Sequence, residues 1–313
     1  MVATPPEPLL GILGGVGPAA GLVLHQTILH HTLNGGTDQG HLNVLHISRS
    51  ADIAARPDYL HQHGQRELTT TIENPAVGMT RNLRMLERAA KVQSAKLIVG
   101  VPCNTFHASP IWTPFEAAAS KSKATGNIVV LHILKETVRF IGDLAPSART
   151  IGVLSTTGSR MSRIYHDLLE PAGYRVVQVP EADQHDVNDT IYNLEWGIKS
   201  TSPAIHPRAT ANLRRFASLL AQVGAQVLIL GCTELPMALT ERHVNGMLVV
   251  DPMVALARAM IREADPAKLV PLEVFYKFAC KPVSEVLGGA ESDGDETASM
   301  GESDTGFDSD HVE

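Results

Sequence analysis

The hydrophobic pattern of this chain alternates between short apolar runs and longer amphipathic stretches. Residues 9–13, 97–101 and 227–230 are apolar throughout, and each run is followed directly by Gly or Pro. Runs of this kind are typical of buried strands in parallel sheets. Stretches with apolar residues at helical spacing lie between them, for example at 75–92. Strands that alternate with helices through short connections predict parallel sheets with right-handed crossovers.

Some connecting segments lack a clear helical pattern. The stretch that contains Arg56 is predicted to be a loop, and segment 180–193 is polar, with no helix assigned to it. One uninterrupted helix is predicted over residues 160–169.

Two of the apolar runs lead into a cysteine. Cys103 follows the run at 97–101 after Pro102, and Cys232 follows the run at 227–230 after Gly231. Open α/β sheets bind their ligands at the carboxyl ends of their strands. A single free cysteine most often fills space in a core. The second copy, preceded by a similar helix end and turn, instead predicts two related halves whose thiols face one cleft.

The repeat extends beyond the cysteines, because residues 151–158 follow the outline of residues 10–17. We therefore predict an α/β fold of two pseudo-symmetric Rossmann- or flavodoxin-like lobes with parallel sheets, and an active site in the cleft between them. The predicted first lobe is 9–146 plus a C-terminal helix at 252–280, the second lobe is 147–251, and 1–8 and 285–313 are disordered tails.

A glycine-rich turn follows the first predicted strand. The spacing Gly15-x-Gly17-x-x-Ala20 places backbone N–H groups at a helix N-terminus, which favours an anion and also matches a dinucleotide fingerprint. An NAD site expects an acid soon after the second strand, but the chain there has Arg49, which suits a 2′-phosphate. A nucleotide-binding protein without catalysis therefore stays open as an alternative.

The composition limits the binding partners and the cellular compartment that can be expected for this protein. The chain of 313 residues has a formal charge of −7, and ten acids with no Lys or Arg follow Ser284. The body is thus not strongly charged, and neither a nucleic-acid nor a membrane partner is predicted. Three cysteines, no secretory signal and no apolar run long enough to span a bilayer predict a cytoplasmic protein. The histidine pairs lack the second cluster that a zinc site needs, so no metal site is predicted.

Taken together, the motifs resemble the cofactor-independent aspartate/glutamate racemases, especially the aspartate racemase branch. The resemblance runs from about Leu10 to Ala264. It depends on Gly14–Pro18, Asp38-Gln39-x-His41, Pro102-Cys103-Asn104-Thr105-x-His107, the linking segment 184–199 with its Lys199, and Gly231-Cys232-Thr233-Glu234.

The resemblance implies racemisation of an acidic amino acid, with aspartate favoured over glutamate, without a cofactor. The substrate would be a small molecule, and a homodimer is considered. In the family, an acid precedes the arginine that corresponds to Arg56, and here that position is Ala55, which leaves the substrate open. The catalytic residues implied are Cys103 and Cys232, and the substrate-binding residues are Gly15, Arg56, Asn104, Thr105, Thr156, Lys199, Thr233 and Glu234.

The proposed chemistry explains why two thiols are needed. Inverting a stereocentre through a carbanion takes one base that removes the α-proton and one acid that returns a proton on the other face. Asn104 and Glu234 suit the α-amino group, and Arg56 and Lys199 suit the distal carboxylate. Thr156 could equally cap a helix. Isomerisation of an unsaturated diacid, or decarboxylation, on the same scaffold with a small dicarboxylate substrate remains a second possibility.

Overall fold

The computed structural model describes residues 6–63, 72–123 and 127–274. Both sheets belong to one compact unit that ends at Val270, and the described residues 271–274 lie outside it. The strands are β1 Leu9–Leu13, β2 Asn43–Ile47, β3 Leu97–Gly100, β4 Ile128–Leu131, β5 Thr150–Leu154, β6 Arg175–Val177, β7 Val227–Leu230, β8 His243–Val244 and β9 Met247–Val250.

The helices lie between the strands, as the predicted alternation requires. They are α1 Pro18–His30, α2 Arg56–His63, α3 Pro75–Val92, α4 Ser109–Lys123, α5 Ile133–Leu144, α6 Thr157–Met161, α7 His166–Leu169, α8 Glu181–Tyr192, α9 Ile198–Thr201, α10 Pro207–Gln222, α11 Leu235–Ala238 and α12 Pro252–Ala264. Short 3-10 helices occur at Asp38–Gly40, Ser50–Asp52, Thr105–His107 and Pro266–Lys268.

The two sheets repeat one strand order. The first sheet is β2-β1-β3-β4 and is parallel throughout, and the second is β6-β5-β7-β9-β8, parallel except for the edge strand β8. β3 and β7 hold the same interior position in their sheets, and every residue of both strands is buried. Wholly apolar strands are expected where helices cover both faces of a parallel sheet. The predicted α/β fold class is confirmed.

Helix α12 follows the second sheet in sequence but packs against β3, α1 and α5 of the first. The Asp251 side chain caps its start by accepting a hydrogen bond from the Met253 N–H at 2.8 Å. The helix approaches β3 closely at Gly100, where a Cβ would lie 2.6 Å from Met260 Sδ. The helix ends at Ala264 with Pro266 beyond it, so the helix predicted over 252–280 is interrupted there, and residues 275–280 lie outside the described residues. The proposed lobe boundaries at 146 and 251 stay predictions.

Three helical segments differ from the sequence-based expectation. The stretch at Arg56 forms α2, and most of the polar segment 180–193 forms α8. The single helix predicted over 160–169 is instead two short helices, α6 and α7, separated at Arg163, whose φ of 50° is left-handed. Residues 1–5 and 285–313 of the predicted tails, and Cys280, lie outside the described residues.

Buried histidines should make the stability of the fold depend on pH. Burial and the nearby Arg258 lower the pKa of His31 to about 3, and burial with the nearby Lys135 lowers the pKa of His132 to about 4. Burial also lowers the pKa of His107 well below its usual value. A histidine with a depressed folded pKa stabilises the protein above its unfolded pKa of about 6.5, and this contribution is lost as pH falls.

We expect the free energy of unfolding to be lower at pH 5 than at pH 7.5. His31 and His132 should each account for about 2 kcal/mol. Asp251 has the opposite effect on the free energy of unfolding as pH falls, because burial raises the pKa of its carboxyl to about 6. The net loss should therefore be at least about 2 kcal/mol, measured by urea denaturation at the two pH values. A His132→Asn variant should reduce the difference and a variant of the exposed His243, His243→Asn, should not. Equal stability at both pH values would contradict this account.

Candidate active site

The two thiols lie at equivalent strand ends and line one pocket. Cys103 comes after β3 and Cys232 after β7, each side chain is 8% exposed, and neither is in a disulfide. We call this cavity the inner pocket. Eight of the ten predicted site residues line it, together with Val16, Pro57 and Tyr192; the eight are Arg56, Cys103, Asn104, Thr105, Lys199, Cys232, Thr233 and Glu234.

Lys199 and Glu234 form an ion pair in the inner pocket. Lys199 Nζ donates to Glu234 Oε1, while Glu234 Oε2 accepts hydrogen bonds from Cys232 Sγ at 2.9 Å and from Thr233 Oγ1 at 3.0 Å. Burial opposes the charge on Glu234, but Lys199 and the three hydrogen bonds lower the pKa of its carboxyl below the usual value. Burial likewise opposes the charge on Lys199, and Glu234 raises the pKa of its ammonium. Both groups are therefore ionised at neutral pH.

The same carboxylate keeps Cys232 protonated. Burial and the negative charge of Glu234 raise the pKa of the Cys232 thiol well above its usual range, and Lys199 offsets only part of this. The thiol proton lies in the hydrogen bond to Glu234 Oε2. In the resting protein, Cys232 is thus a proton donor.

The motif that begins at Cys103 is held by residues from the other half of the chain. Tyr165 O–H donates to Asn104 Oδ1 at 2.8 Å, and the Thr105 and Ser159 hydroxyl oxygens lie 2.9 Å apart. Asn104 Nδ2 is buried and has no hydrogen-bond partner in the protein. A buried amide N–H without a partner is costly, so it provides a ready donor for a ligand in the inner pocket.

His107 supports the backbone behind Cys103. Its Nδ1 lies 2.8 Å from the Cys103 carbonyl oxygen, and its ring stacks on Trp112 with centroids 4.3 Å apart. Because the pKa of His107 is lowered, the ring is neutral, and Nδ1 donates its proton to the carbonyl. The position suits a residue that orients the Cys103 loop.

Arg56 reaches the inner pocket from the first turn of α2. Its Nη2 donates to the Val16 carbonyl oxygen in the glycine-rich turn, and its Nε is buried without a hydrogen-bond partner. The guanidinium thus ties α2 to the turn and keeps one buried donor for a ligand.

Gly15 and Thr156, the other two predicted site residues, do not line the inner pocket. Gly15 has a φ of +85°, and a Cβ there would lie 2.8 Å from the Arg49 nitrogen, so its place in the turn requires glycine. Thr156 caps α6, because its Oγ1 accepts a hydrogen bond from the Ser159 N–H at 3.3 Å. Gly17 lies closer than Gly15 to the ion pair of Lys199 and Glu234, since a Cβ at Gly17 would lie 3.4 Å from Glu234 Oε1.

A second, larger cavity adjoins the inner pocket. We call it the outer cavity; its volume is about 710 Å³, and Thr156 lies in its wall. The two cavities share Arg56, Pro57, Tyr192 and Lys199, which form the neck between them. The inner pocket has a volume of only about 20 Å³, which is room for about one water molecule.

Two aromatic residues of this site were not predicted from the sequence. Tyr165 holds Asn104, and Tyr192 lies in the neck with Lys199 Nζ 5.6 Å from its ring centroid. Burial and the charges around the inner pocket raise the pKa of Tyr192 above its usual value, so its hydroxyl stays protonated. No local signal in the sequence marks either tyrosine.

Within the described ranges, no group of three or more His, Cys, Asp or Glu residues is arranged to hold a metal ion. Among the helices that the structure describes, none combines the length and the apolar composition needed to cross a membrane.

The fold and the site define a class of protein: an α/β protein of two sheets with one cysteine at the end of the equivalent strand in each sheet, and both thiols in one pocket. Residues 13–260 match the model of the family described as Asp/Glu/Hydantoin racemase. The chain belongs to this family, and the resemblance described from its motifs is confirmed.

Several solved structures are similar to this chain. An aspartate racemase from Picrophilus torridus superposes with a TM-score of 0.65 and 21% identity, over 85% of this chain and 97% of that one. An aspartate racemase homologue from Pyrococcus horikoshii OT3 has a TM-score of 0.57 and 19% identity, over 82% and 99%. A glutamate racemase from Francisella tularensis subsp. tularensis SCHU S4, in complex with D-glutamate, has a TM-score of 0.51 and 13% identity, over 86% and 85%. At these identities the likeness shows the fold.

A curated relative is similar over a shorter length. It is a protein of Pectobacterium carotovorum subsp. carotovorum described as an uncharacterized protein in the pnlA 3′ region, 33% identical over 91 residues. These residues are 29% of this chain and 56% of that protein, so the match spans little more than half of the relative's length.

Proposed function

We propose that this protein racemises an acidic amino acid by a two-thiol mechanism, without pyridoxal phosphate. The observation that carries the proposal is the inner pocket itself, where two thiols from equivalent strand ends meet a lysine–glutamate pair. Family membership and the similar aspartate and glutamate racemases support this activity. Two reduced thiols in one pocket also fit the predicted cytoplasmic location, because that compartment keeps thiols reduced.

The ion pair supplies a binding site for a zwitterion. With about 20 Å³ free, an amino acid enters only if Lys199 and Glu234 separate. The substrate gives each ion-pair partner a new group of opposite charge: its α-ammonium binds Glu234 and the second lone pair of Asn104 Oδ1, and its distal carboxylate binds Lys199 and Arg56. The unpartnered Asn104 Nδ2 donates to the α-carboxylate. Exchange of one ion pair for two limits the cost of desolvating charges in a buried site.

The thiols then act from opposite faces of the α-carbon. The Cys103 thiolate removes the α-proton, and the Cys232 thiol, which is protonated at rest, returns a proton on the other face. In the reverse direction the two sulfurs exchange roles. The hydroxyls of Thr105 and Thr233 and the backbone N–H groups after each cysteine stabilise the charge that develops on the α-carboxylate.

The control of Cys232 by Glu234 gives a direct prediction. Glu234→Gln removes the negative charge that raises the pKa of Cys232 and leaves the positive charge of Lys199, so the thiol should ionise at lower pH. The pH dependence of iodoacetamide alkylation measures this in a Cys103→Ser, Cys280→Ser background, with and without the substitution. A midpoint that stays in place or rises would contradict the role of Glu234.

The activity itself is tested with purified protein and no added pyridoxal phosphate. Chiral chromatography of L- and D-aspartate and of L- and D-glutamate should show conversion towards the racemic mixture from either enantiomer. Maleate in parallel reactions tests the isomerase alternative, and titration with NADPH tests the nucleotide-binding one. Turnover of maleate alone, or nucleotide binding without turnover, would overturn the proposal. Light scattering of the same sample shows whether the chain forms the homodimer considered above.

A further inference from the structure

The outer cavity is far larger than an acidic amino acid requires. Its volume of about 710 Å³ lies in the range of sites that enclose drug-sized ligands, about 300–1,000 Å³. An aspartate bound between the thiols would leave this space filled with solvent. A site whose chemistry lies at one end of a large cavity suits a substrate that extends away from the reacting carbon.

The residues of the neck determine where the acidic side chain of such a substrate would end and where its additional group would begin. Arg56 and Lys199 lie on the boundary between the two cavities, with Tyr192 and Pro57 beside them. A group that contacts these cations at the end of an aspartyl or glutamyl side chain is an oxygen of a carboxyl or a carbonyl. Atoms attached beyond that oxygen-bearing carbon enter the outer cavity.

The wall beyond the neck suits an uncharged group. Leu60 and Met161 offer apolar surface, and Thr157, Ser162 and Asn188 offer hydroxyl and amide groups. Asp58 supplies the one carboxylate among the described lining residues and disfavours a further anion there, and His61 is the other titratable side chain of this wall outside the neck. Ala55, small and exposed, adds neither bulk nor charge at the same wall.

We propose that the substrates of this protein are ω-substituted acidic amino acids, amides of glutamate or aspartate whose uncharged substituent occupies the outer cavity. This inference rests on the proposed racemase function and names its substrate class. The reacting carbon is the same: its C–H bond breaks to one sulfur, and a new C–H bond forms from the other. The amide carbonyl accepts hydrogen bonds from the neck cations, and the amide itself stays intact.

The test uses the γ-benzylamide of L-glutamate as the probe, with L-glutamate as the reference. Exchange of the α-proton in D₂O, followed by NMR, gives kcat/KM for both. We expect the benzylamide to exchange at least ten times more efficiently than glutamate. Met161→Trp, at a residue 74% exposed on the rim, should lower the benzylamide-to-glutamate ratio at least tenfold by filling the cavity. Val92→Trp, at an exposed residue of α3 that lines neither cavity, should leave the ratio within about twofold, and Leu60→Trp should repeat the loss from the α2 side.

Each outcome separates the two proposals. Efficient exchange of glutamate with little or none of the benzylamide overturns the substrate class and leaves the racemase function standing. An unchanged ratio in folded Met161→Trp and Leu60→Trp also overturns the role of the outer cavity. No exchange with either compound or with aspartate means that the racemase function itself is wrong.

Discussion

Replacing either pocket cysteine by serine is expected to abolish racemisation in both directions. If Cys103 and Cys232 each serve one face of the α-carbon, loss of one sulfur removes the group that moves a proton on that face. A serine hydroxyl keeps nearly the same shape, but its far higher pKa makes it a poor base. General acid–base groups contribute about 10²–10⁴ in rate, and we expect kcat to fall by at least this much.

The measurement is kcat for both enantiomers of the substrate at matched concentrations of folded protein. Cys280→Ser is the control variant, because no role is predicted for that cysteine, and it should retain the parent rate. Two buried cysteines that only fill space would lose a little stability and no chemistry on the same replacement. Near-normal racemisation by either single variant would therefore contradict the two-thiol mechanism.

Lys199→Met should reduce kcat/KM for aspartate and glutamate by about 10², mainly through KM. A hydrogen bond to a charged group contributes about 1.5–3 kcal/mol, and methionine keeps the length of the side chain without the charge. The loss of Lys199 also removes the main cause that lowers the pKa of the buried Glu234 carboxyl. Glu234 should then take up a proton more readily and bind the α-ammonium less well.

Lys96 offers a matched control for this variant. It forms an ion pair with Glu263 at 2.6 Å, and both residues lie outside the inner pocket and the outer cavity. Lys96→Met should leave kcat/KM within about twofold of the parent, because a partly exposed pair contributes about 0–1 kcal/mol to stability and touches no substrate. Equal losses of kcat/KM in Lys96→Met and Lys199→Met would show that the lower activity comes from impaired folding rather than from weaker substrate binding.

The sequence was most informative where burial is uniform. β3 and β7 are fully buried and apolar, so their limits and the cysteines that follow them can be recognised from pattern alone. The same strands occupy equivalent interior positions, which brings the two distant cysteines into one pocket. The glycine-rich turn is also marked, because the positive φ of Gly15 leaves little choice of residue.

The helices that were missed show why the remainder could not be predicted. α2 has no buried residue, so it lacks the apolar stripe by which a helix is recognised. α8 buries Gln184 and Thr190 together with Val187 and Ile191, so its inward face is half polar. Because α2 carries Arg56 and α8 carries Tyr192, the neck between the two cavities could not be predicted without these two helices.

Contacts between the halves leave no local trace in the sequence. Tyr165 and Asn104 are 61 positions apart, and only the folded chain shows that the tyrosine hydroxyl holds the asparagine amide. Thr156 was predicted either to bind the substrate or to cap a helix, and in the structure its hydroxyl caps α6 while the residue lines the outer cavity. The size of the outer cavity likewise depends on helix packing that no motif encodes.

The most direct test of the two-thiol account is solvent deuterium exchange by the two serine variants. Each variant retains one sulfur, which can remove and return the α-proton on its own face without inverting the centre. Cys103→Ser and Cys232→Ser should therefore each incorporate deuterium into one enantiomer of the substrate and return that enantiomer unchanged, and the two variants should prefer opposite enantiomers. Exchange of the same enantiomer by both variants, or racemisation by either, would contradict the account.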